Sequence, residues 1–376
     1  MKMLIVFEDQ LSGIPYGGRQ ESLAFYKRAS HCSDIVRVEY KLDSWKLLSG
    51  LRHGEKNLTL NRSLMIFLMT APLLPFTLAS RIPDPISYYK LLREVAKYDP
   101  DVIISYSYRT HIIFALISKI LRIKYVVRPH NIESDYFSSL ARKSTGIKKI
   151  AYMRESIIIS FIEKFFDRYI DAEFYDITES DSLKRGANRD RNRCLYMPSA
   201  AIVDSMTHKD NDWKTSSNNI CFVGSLDNSN NMEAIEWFYD EVFKYIKGKK
   251  FIIAGKGDSS RIRSDIAQDP NVLFFLNYTN EEEFIHLVGV FINPVKRGSG
   301  INIKNMIAIK YDRFLICTEV AARGFPSNAF LIAESKMEWL DLINRESYLN
   351  VQPDYTSMSN SFIKDFENAL GAILNE

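Results

Sequence analysis

The chain has 376 residues, a length that predicts two domains rather than a single core. Hydrophobic residues make up 46% and charged residues 25%, which is typical of a soluble globular protein and excludes a disordered or fibrous chain. The 49 basic and 46 acidic residues balance too closely to indicate a nucleic-acid-binding protein.

The cysteines and the N-terminus predict a cytoplasmic protein. Cys32, Cys194, Cys221 and Cys317 lie far apart, with no CxxC pair and no disulfide framework, so a reducing compartment is expected. The run MKMLIVFEDQ has too few consecutive apolar residues for a signal peptide and is typical of a first strand.

The first half of the chain alternates β-rich and helical runs. The predicted strands are Met3–Phe7, Ile35–Tyr40, Val102–Tyr106 and Tyr125–Arg128. The predicted helices run from about Gln20 to Ala29, over His111–Leu121 and over Ile147–Tyr169. Strand, helix and strand in repetition predict a doubly wound parallel α/β sheet.

One apolar segment, Leu64–Ala79, has two interpretations. It is flanked by Arg62 and Arg81, and it is shorter than the roughly 20 apolar residues that a spanning helix needs. Two prolines would also break a helix here. The first interpretation is a buried helix and loop of the first domain. The second is a patch, residues 62–81, that dips into a membrane surface beside its basic flanks and makes the protein peripheral at the inner face.

The second half begins with a polar stretch and then alternates again. Ser199–Asn219 has few apolar residues after its first positions and predicts a linker. The predicted strands that follow are Ile220–Val223, Phe251–Ala254, Val272–Leu276, Val290–Asn293 and Arg313–Thr318, and the predicted helices are Met232–Ile246 and Ser361–Leu374. Two doubly wound domains in tandem predict a ligand cleft between the carboxyl edges of their sheets.

These runs divide the chain into four parts. A first Rossmann-like domain is predicted over residues 1–198, and a linker over 199–219. A second Rossmann-like domain is predicted over 220–355. A C-terminal helix, 356–376, is expected to pack back on the first domain.

Two loops of the first domain carry polar residues suited to a ligand. The first contains the adjacent Gly17 and Gly18, followed by Arg19. Paired glycines let a backbone approach a ligand closely, but a plain tight turn explains them equally well. The second contains His130 and Asn131, just after a predicted strand. That histidine is a candidate polar or acid–base group, and the alternative is a histidine that ties the loop to the backbone.

A third loop, INPVKRGSGINIK, follows the strand Val290–Asn293. The turn Gly298–Gly300 and the helix start after it would supply amide donors for phosphate. Arg297 and Lys304 would supply positive charge. A solvated basic loop is the alternative interpretation.

Five stretches together resemble the retaining GT-B glycosyltransferases of family 4, over nearly the whole chain. ICFVGSLDNSNNMEAIEWFYDEVF, FIIAGKGDSS and INPVKRGSGINIKNMIAIK…FLICTEVAARGF resemble that family's second domain and are fairly specific as a set. IPYGGRQESLAFYKR and VVRPHNIESDYF resemble loops of its first domain. The resemblance implies the GT-B fold, two doubly wound Rossmann-like domains that face each other across a cleft. It also implies that the N-terminal domain, 1–198, lies on the acceptor side and that the C-terminal domain, 220–355, binds the nucleotide sugar.

The resemblance also implies roles for the loop residues. The glycine loop would lie near the donor phosphate and the acceptor, the histidine loop would contact the donor sugar, and the third loop would hold the diphosphate. The residues expected to act in catalysis are His130, Arg297 and Lys304. Those expected to bind the substrate or donor are Gly17, Gly18, Arg19, Asn131, Gly298, Ser299 and Gly300.

The chain departs from the family pattern at three positions. The family's ribose-binding glutamate is replaced by Ile307, whose apolar side chain cannot accept the hydrogen bonds of the ribose hydroxyls. A glycine is replaced by Asp312 and an arginine by Ser225. The sequence therefore predicts weak ribose recognition, with Asp312 and Glu319 as nearby acids that could substitute.

The implied reaction transfers a sugar from a nucleotide diphosphate donor to a glycan or lipid-linked acceptor, with retention of the anomeric configuration, in cell-surface polysaccharide or glycolipid synthesis. No DxD-type pair with supporting context is present and the six histidines are scattered, so no metal and no cofactor is expected. Two alternatives stay open: a catalytically silent relative that binds a partner or nucleotide, and a sugar epimerase of similar shape.

Overall fold

A computed structural model describes residues 1–7, 17–32, 34–41, 44–49, 64–106, 108–166, 170–187, 191–207, 217–298, 301–326, 328–344, 346 and 355–375. The chain forms two compact units. Unit 1 comprises Met1–Ala201 and Asp365–Glu376, and unit 2 comprises Ile202–Lys364.

Unit 1 is built on a seven-stranded sheet. Its strands are β1 (Lys2–Phe7), β2 (Asp34–Lys41), β3 (Ser44–Ser49), β4 (Val102–Ser105), β5 (Lys124–Val127), β6 (Glu173–Asp176) and β7 (Cys194–Tyr196). Their order is β3-β2-β1-β4-β5-β6-β7, and all pairs are parallel except β2 and β3. Met3 to Val6 of β1 have no exposed surface, because helices cover both faces of the central strands of such a sheet.

The helices of unit 1 begin and end at recognisable signals. They are Gly17–Cys32, Leu64–Thr70, Phe76–Ala79, Pro85–Tyr98, His111–Leu121, Glu133–Lys143, Gly146–Phe161 and Glu179–Gly186, and a π-helical turn, Ile162–Phe166, follows the seventh. Asp84 caps the helix Pro85–Tyr98 by accepting a hydrogen bond from the Ser87 amide at 2.8 Å, and Pro85 occupies the first turn. The same helix ends at Asp99, which adopts the left-handed conformation with φ of 54°.

The apolar segment Leu64–Ala79 is not mainly buried. It forms two short helices, and the second begins directly after Pro75. Leu78 and Ala79 are buried, but Met65, Leu68, Met69 and Leu73 are exposed. The expectation of a buried helix and loop is therefore wrong for the larger part, because the prolines split the segment into helices too short to place every side chain against the core. Among the described residues, no helix is long and apolar enough to cross a membrane.

Unit 2 is built on a six-stranded, fully parallel sheet. Its strands are β8 (Ile220–Val223), β9 (Phe251–Gly255), β10 (Val272–Leu276), β11 (Val290–Asn293), β12 (Phe314–Cys317) and β13 (Leu331–Ile332). Their order is β10-β9-β8-β11-β12-β13. The surrounding helices are Ser229–Glu241, Ser264–Ala267, Glu282–Ile285, Met306–Lys310, Glu319–Ala322 and Lys336–Asn344. Phe238 and Trp339, both fully buried, pack edge-to-face in the core with their ring centroids 5.6 Å apart.

Two helices lie where the units divide. The segment predicted as a linker contains the helix Ala200–Thr207, whose Ile202 and Met206 are buried, and its residues 208–216 fall outside the described part of the chain. The C-terminal helix Tyr355–Asn375 begins in unit 2 and ends in unit 1. Within unit 1, the Phe366 ring of this helix meets the Phe25 ring at 6.3 Å between centroids.

Candidate functional site

The sheet of unit 2 has a switch point between β8 and β11. These two strands are neighbours, with β9 beyond β8 and β12 beyond β11. The connections that follow β8 and β11 therefore leave the sheet in opposite directions. Doubly wound sheets bind ligands at this position, beyond the carboxyl ends of the strands. The loops concerned are Gly224–Asn228 and the loop that starts at Pro294.

Glycines bring two of these strand ends into close contact. A Cβ atom at Gly255 would lie 1.9 Å from the Gly224 carbonyl oxygen, so no other residue fits at the end of β9. Gly257 has φ of 133°, a conformation that side chains rarely adopt. The motifs FVGS and AGKG thus reflect steric demands at the carboxyl edge of the sheet.

The positive end of a helix dipole lies next to the first loop. The helix Ser229–Glu241 starts there, and Asn228 caps it by accepting a hydrogen bond from the Asn230 amide at 2.9 Å. Its first turn holds no acidic residue, so the positive end of the helix dipole is not neutralised locally. A helix start of this kind favours an anion.

Lys304 brings a charge to the same place. Its ammonium donates a hydrogen bond to Asn231 Oδ1, and it lies 4.8 Å from the centroid of the Phe222 ring, at the end of β8. Asn231 in turn donates to the Ser225 carbonyl at 2.8 Å. Burial lowers the pKa of Lys304 from 10.5 to about 7, since no acidic side chain compensates for the lost hydration. An anionic ligand would restore the charge.

Buried amides fix both ends of the loop that carries Lys304. Asn293, the last residue of β11, donates to Asn305 Oδ1 at 2.7 Å, and Asn305 donates to the Ala321 carbonyl at 2.7 Å. Thr318 donates its hydroxyl to the Val295 carbonyl at 2.5 Å. These contacts hold Lys304 in position, because every partner belongs to a strand end or a helix start.

The rest of the predicted third loop is partly described. Arg297 and Gly298 are exposed, and Ser299 and Gly300 lie outside the described residues. The neighbouring Lys296 has its ammonium 3.6 Å from the centroid of the Trp237 ring. Arg297 therefore remains available to a ligand from solvent, whereas Lys296 is held against an aromatic face.

The positions that depart from the family pattern have distinct surroundings. Ile307 lies in the helix Met306–Lys310 and is only 8% exposed. Asp312 precedes β12, at the amino edge of the sheet, and adopts a left-handed φ of 51° that suits glycine. Glu319 follows β12, at the carboxyl edge, and is exposed. The proposal that Asp312 substitutes for the missing acid is wrong, because the loops of the site lie at the opposite edge. Glu319 lies at the correct edge.

In unit 1, a buried network joins the start of the helix Gly17–Cys32 to the histidine loop. Glu21 accepts hydrogen bonds from Tyr106 at 2.8 Å and Arg128 at 2.9 Å through one carboxylate oxygen. Its other oxygen accepts from Ser199 and from the Ala201 amide. Arg128 also donates to the Tyr106 hydroxyl at 2.8 Å.

Charge and hydrogen bonding keep this network ionised. Burial by itself would raise the pKa of Glu21, but the Arg128 guanidinium and the hydrogen bonds from Ser199, Ala201 and Tyr106 lower it below its ordinary value. Arg128 further donates to the Met197 carbonyl at 3.1 Å and the Pro198 carbonyl at 2.7 Å. The ion pair is thus fully hydrogen-bonded, which a buried pair requires for stability.

The network positions the predicted residues of unit 1. Gly17, Gly18 and Arg19 form the first turn of the helix that carries Glu21, rather than a loop, so the predicted helix start at Gln20 is late by three residues. His130 follows Arg128 by two residues and meets the Tyr106 ring edge-on, with centroids 5.5 Å apart. His130 and Asn131 are half-buried.

Sequence patterns did not identify Glu21, Tyr106, Ser199 or Asn231. Two signals could have found some of them. Glu21 is an acid three residues after a glycine pair, and Asn231 belongs to the polar run DNSNN just after the apolar strand ICFV. Their partners Arg128 and Lys304 are 107 and 73 residues away in the chain, so the sequence alone could not pair them.

No family model matches the chain. A curated relative, an uncharacterized 44.6 kDa protein in the cps region of Klebsiella pneumoniae, is 26% identical over 219 residues, which are 54% of this chain and 53% of that protein. The match thus spans about half of each protein.

Solved structures match over the full length. Anabaena Alr3699/HepE in complex with UDP has a TM-score of 0.63 at 10% identity, with 100% of both chains covered. The lipopolysaccharide outer core galactosyltransferase WaaB has a TM-score of 0.61 at 12% identity, with 99% of both chains covered. The chain has the GT-B fold. This confirms the predicted fold class of two doubly wound Rossmann-like domains, while identities this low carry no information on activity.

Among the described residues, no group of three or more His, Cys, Asp or Glu side chains is placed to hold a metal ion. The described candidate features are the switch point beside Lys304 in unit 2 and the buried ion-pair network in unit 1.

Proposed function

We propose that this GT-B chain is a retaining glycosyltransferase that moves a sugar from a nucleoside diphosphate donor to a glycan or lipid-linked acceptor. The observation that carries the proposal is the position of Lys304. Its ammonium is desolvated, lacks an acidic partner among the described residues, and lies at the switch point of unit 2 beside the positive end of a helix dipole. A diphosphate supplies the missing negative charge.

The chemistry fits these groups. When the bond between the anomeric carbon and the diphosphate oxygen breaks, the electron pair goes to the leaving diphosphate. Lys304, Arg297 and the positive end of the dipole of the helix Ser229–Glu241 would stabilise that charge as it grows. The acceptor hydroxyl forms the new bond to the anomeric carbon, and its proton passes to the leaving diphosphate. His130, fixed against Tyr106, would contact the donor sugar.

Two relatives support the biological setting that we propose. The cps-region protein of Klebsiella pneumoniae and the galactosyltransferase WaaB support a role in cell-surface polysaccharide or glycolipid synthesis. HepE binds UDP, which supports a uridine nucleotide as the first donor to test. We place the reaction in the cytoplasm and without a metal ion in the site.

The test is binding and turnover with a panel of nucleotide sugars. A ligand at 100 times its dissociation constant stabilises the folded state by roughly 2.7 kcal/mol, so a thermal-shift screen will reveal the donor. We expect one donor to raise the melting temperature, and we expect release of its nucleoside diphosphate when an acceptor extract is added. Lys304→Met should strongly reduce both effects, whereas Lys247→Met, which changes an exposed lysine of the same unit, should alter neither.

A catalytically silent relative is the second candidate, because the apolar and buried Ile307 stands where the family binds ribose through an acid. Nucleotide binding without turnover in the same panel would support it. Epimerisation of the nucleotide sugar without an acceptor would instead identify a sugar epimerase.

A further inference from the structure

The helix Gly146–Phe161 of unit 1 exposes an apolar stripe. Ile147, Ile150, Met153 and Ile157 are 86%, 69%, 46% and 67% exposed. Their spacing of three, three and four residues places them on one helical face. The opposite face is buried, with Ile159 packed beside Phe137 and Ile162 in a small core. Single exposed apolar residues are common on proteins, but a contiguous stripe marks an interaction surface.

A second segment extends this stripe. Met65, Leu68, Met69 and Leu73 are all more than half exposed, at 70%, 61%, 65% and 77%. We call these four residues, together with Ile147, Ile150, Met153 and Ile157, the apolar surface.

Direct contacts fasten the two parts together. Arg154 donates to the carbonyl oxygens of Ala71 and, at 3.1 Å, of Leu74. Glu155 accepts a hydrogen bond from the Phe76 amide at 2.8 Å. The Arg154 guanidinium also lies 4.2 Å from the centroid of the Phe76 ring. Because Arg154 is within one helical turn of both Ile150 and Ile157, these contacts fasten the segment that carries Leu73 beside the stripe.

Basic residues surround the apolar surface. Residues 142–164 contain six basic and two acidic side chains. Both acids are occupied within the protein: Glu155 is buried against Arg154 and Phe76, and Glu163 accepts a hydrogen bond from Ser134. Lys149, by contrast, is exposed beside the stripe, and Lys148 is exposed at the start of the same helix. The surface is therefore apolar, with positive charge beside the stripe.

An apolar surface with positive charge beside it favours one kind of partner. Two copies of the chain related by a two-fold axis would bring the same basic residues together across the contact, which is unfavourable. Protein–protein contacts in general are depleted in lysine. An anionic bilayer surface attracts the lysines and accepts the apolar side chains at the boundary between headgroups and acyl chains.

We propose that the apolar surface binds an anionic lipid bilayer, with the helix Gly146–Phe161 lying in the plane of the interface. Residues 64–73 are one half of this surface and not a membrane site by themselves. Lipid binding does not depend on the glycosyltransferase function proposed above, but it would bring a lipid-linked acceptor to unit 1.

The test is co-sedimentation of the purified full chain with vesicles of phosphatidylglycerol and phosphatidylcholine, compared with vesicles of phosphatidylcholine alone. We expect binding to the anionic vesicles that weakens as the ionic strength rises. The double variant Ile150→Ser, Ile157→Ser should bind about tenfold more weakly with an unchanged net charge. Lys149→Gln should weaken binding about fivefold.

Matched controls change the same residue types elsewhere. Met337→Ser removes a 73% exposed apolar side chain from unit 2, and Lys247→Gln removes an exposed positive charge there. Neither should alter vesicle binding. As a direct readout in an otherwise unchanged chain, the fluorescence of Met153→Trp should be quenched by brominated acyl chains.

Three outcomes would overturn the proposal. The first is equal binding by the wild type and the Ile150→Ser, Ile157→Ser variant. The second is equal affinity for neutral and anionic vesicles. The third is a dimer in light scattering that the double serine variant converts to a monomer, which would assign the surface to a contact between copies. Nucleotide-sugar turnover measured with a soluble acceptor reports separately on the proposed reaction, so a failure of either idea leaves the other open to its own test.

Discussion

Replacement of Lys304 by methionine should stabilise the protein while it weakens nucleotide binding. The side chains have similar length, so the variant removes the ammonium and keeps most of the packing. In the folded protein that ammonium is stripped of water and has only Asn231 Oδ1 and the Phe222 ring as described neighbours. The wild type thus bears a desolvation cost that only a bound anion offsets.

The magnitude follows from the pKa. Burial lowers the pKa of Lys304 from 10.5 to about 7, and each unit corresponds to about 1.36 kcal/mol, which gives an upper bound of about 5 kcal/mol. The side chain is partly exposed, so solvent screening reduces the expected gain to about 1–3 kcal/mol. For a domain of this size, that gain raises the melting temperature by about 2–10 °C.

The pH dependence has a definite sign. The pKa of Lys304 is lower in the folded state than in the unfolded state, so between about 7 and 10.5 the unfolded state binds more protons. The stability of the wild type should therefore rise with pH across this window, and below it the destabilisation by the charged Lys304 is fully present. The gain in unfolding free energy from Lys304→Met should be largest at about pH 6 and should shrink towards about pH 10.

The assay is thermal unfolding over this pH range, together with calorimetric binding of the nucleoside diphosphate found in the donor screen. We expect Lys304→Met to melt higher and to bind that nucleotide about tenfold to a hundredfold more weakly, since a hydrogen bond from a charged donor contributes about 1.5–3 kcal/mol. Lys247→Met controls for loss of an exposed lysine. If Lys304→Met melts below the wild type at every pH, the ammonium is compensated in the folded state and the reasoning fails.

Four further changes test other parts of the molecule. Arg297→Ala should weaken binding of the nucleoside diphosphate and also lower kcat, because charge on the diphosphate rises in the transition state; unchanged kinetics would remove this loop from the site. His130→Ala should lower turnover by about tenfold or more with an unchanged melting temperature. If the variant instead loses its cooperative unfolding transition and little else changes, the histidine has a structural role. Ile307→Glu should lower the melting temperature, because it places a carboxylate at a position that is only 8% exposed. A wild-type melting temperature with about tenfold tighter nucleotide binding would instead show that the acid reaches the ribose. Glu21→Ala should destabilise unit 1 by about 3–5 kcal/mol, since it leaves Arg128 charged and fully buried. A free energy of unfolding within about 1 kcal/mol of the wild-type value would contradict the ion-pair assignment.

The sequence alone determined the architecture. Strands such as Met3–Phe7, Phe251–Ala254 and Val290–Asn293 were predicted within one residue, because the central strands of a parallel sheet are covered on both faces and therefore appear as continuous apolar runs. Four strands were missed: the edge strands β3, β7 and β13, and β6, which lies between β5 and β7. Each of them is short or carries polar residues, so none appears as a continuous apolar run. The glycine motifs could also be recognised in the sequence, because backbone contacts as close as that between Gly255 and Gly224 exclude a side chain.

Only the tertiary structure decided which residues act together and which surfaces stay exposed. Glu21 meets Arg128, and Lys304 meets Asn231, because strand order brings distant loops to one edge of a sheet, and no local pattern encodes such a pairing. Asp312 and Glu319 are both close to Ile307 in sequence, but β12 places them at opposite edges of the sheet. The stretch Leu64–Ala79 is mostly apolar, yet Leu78 is buried and Leu73 is exposed. Composition determines how much apolar surface the chain can bury, but the position of neighbouring elements determines which side chains are buried.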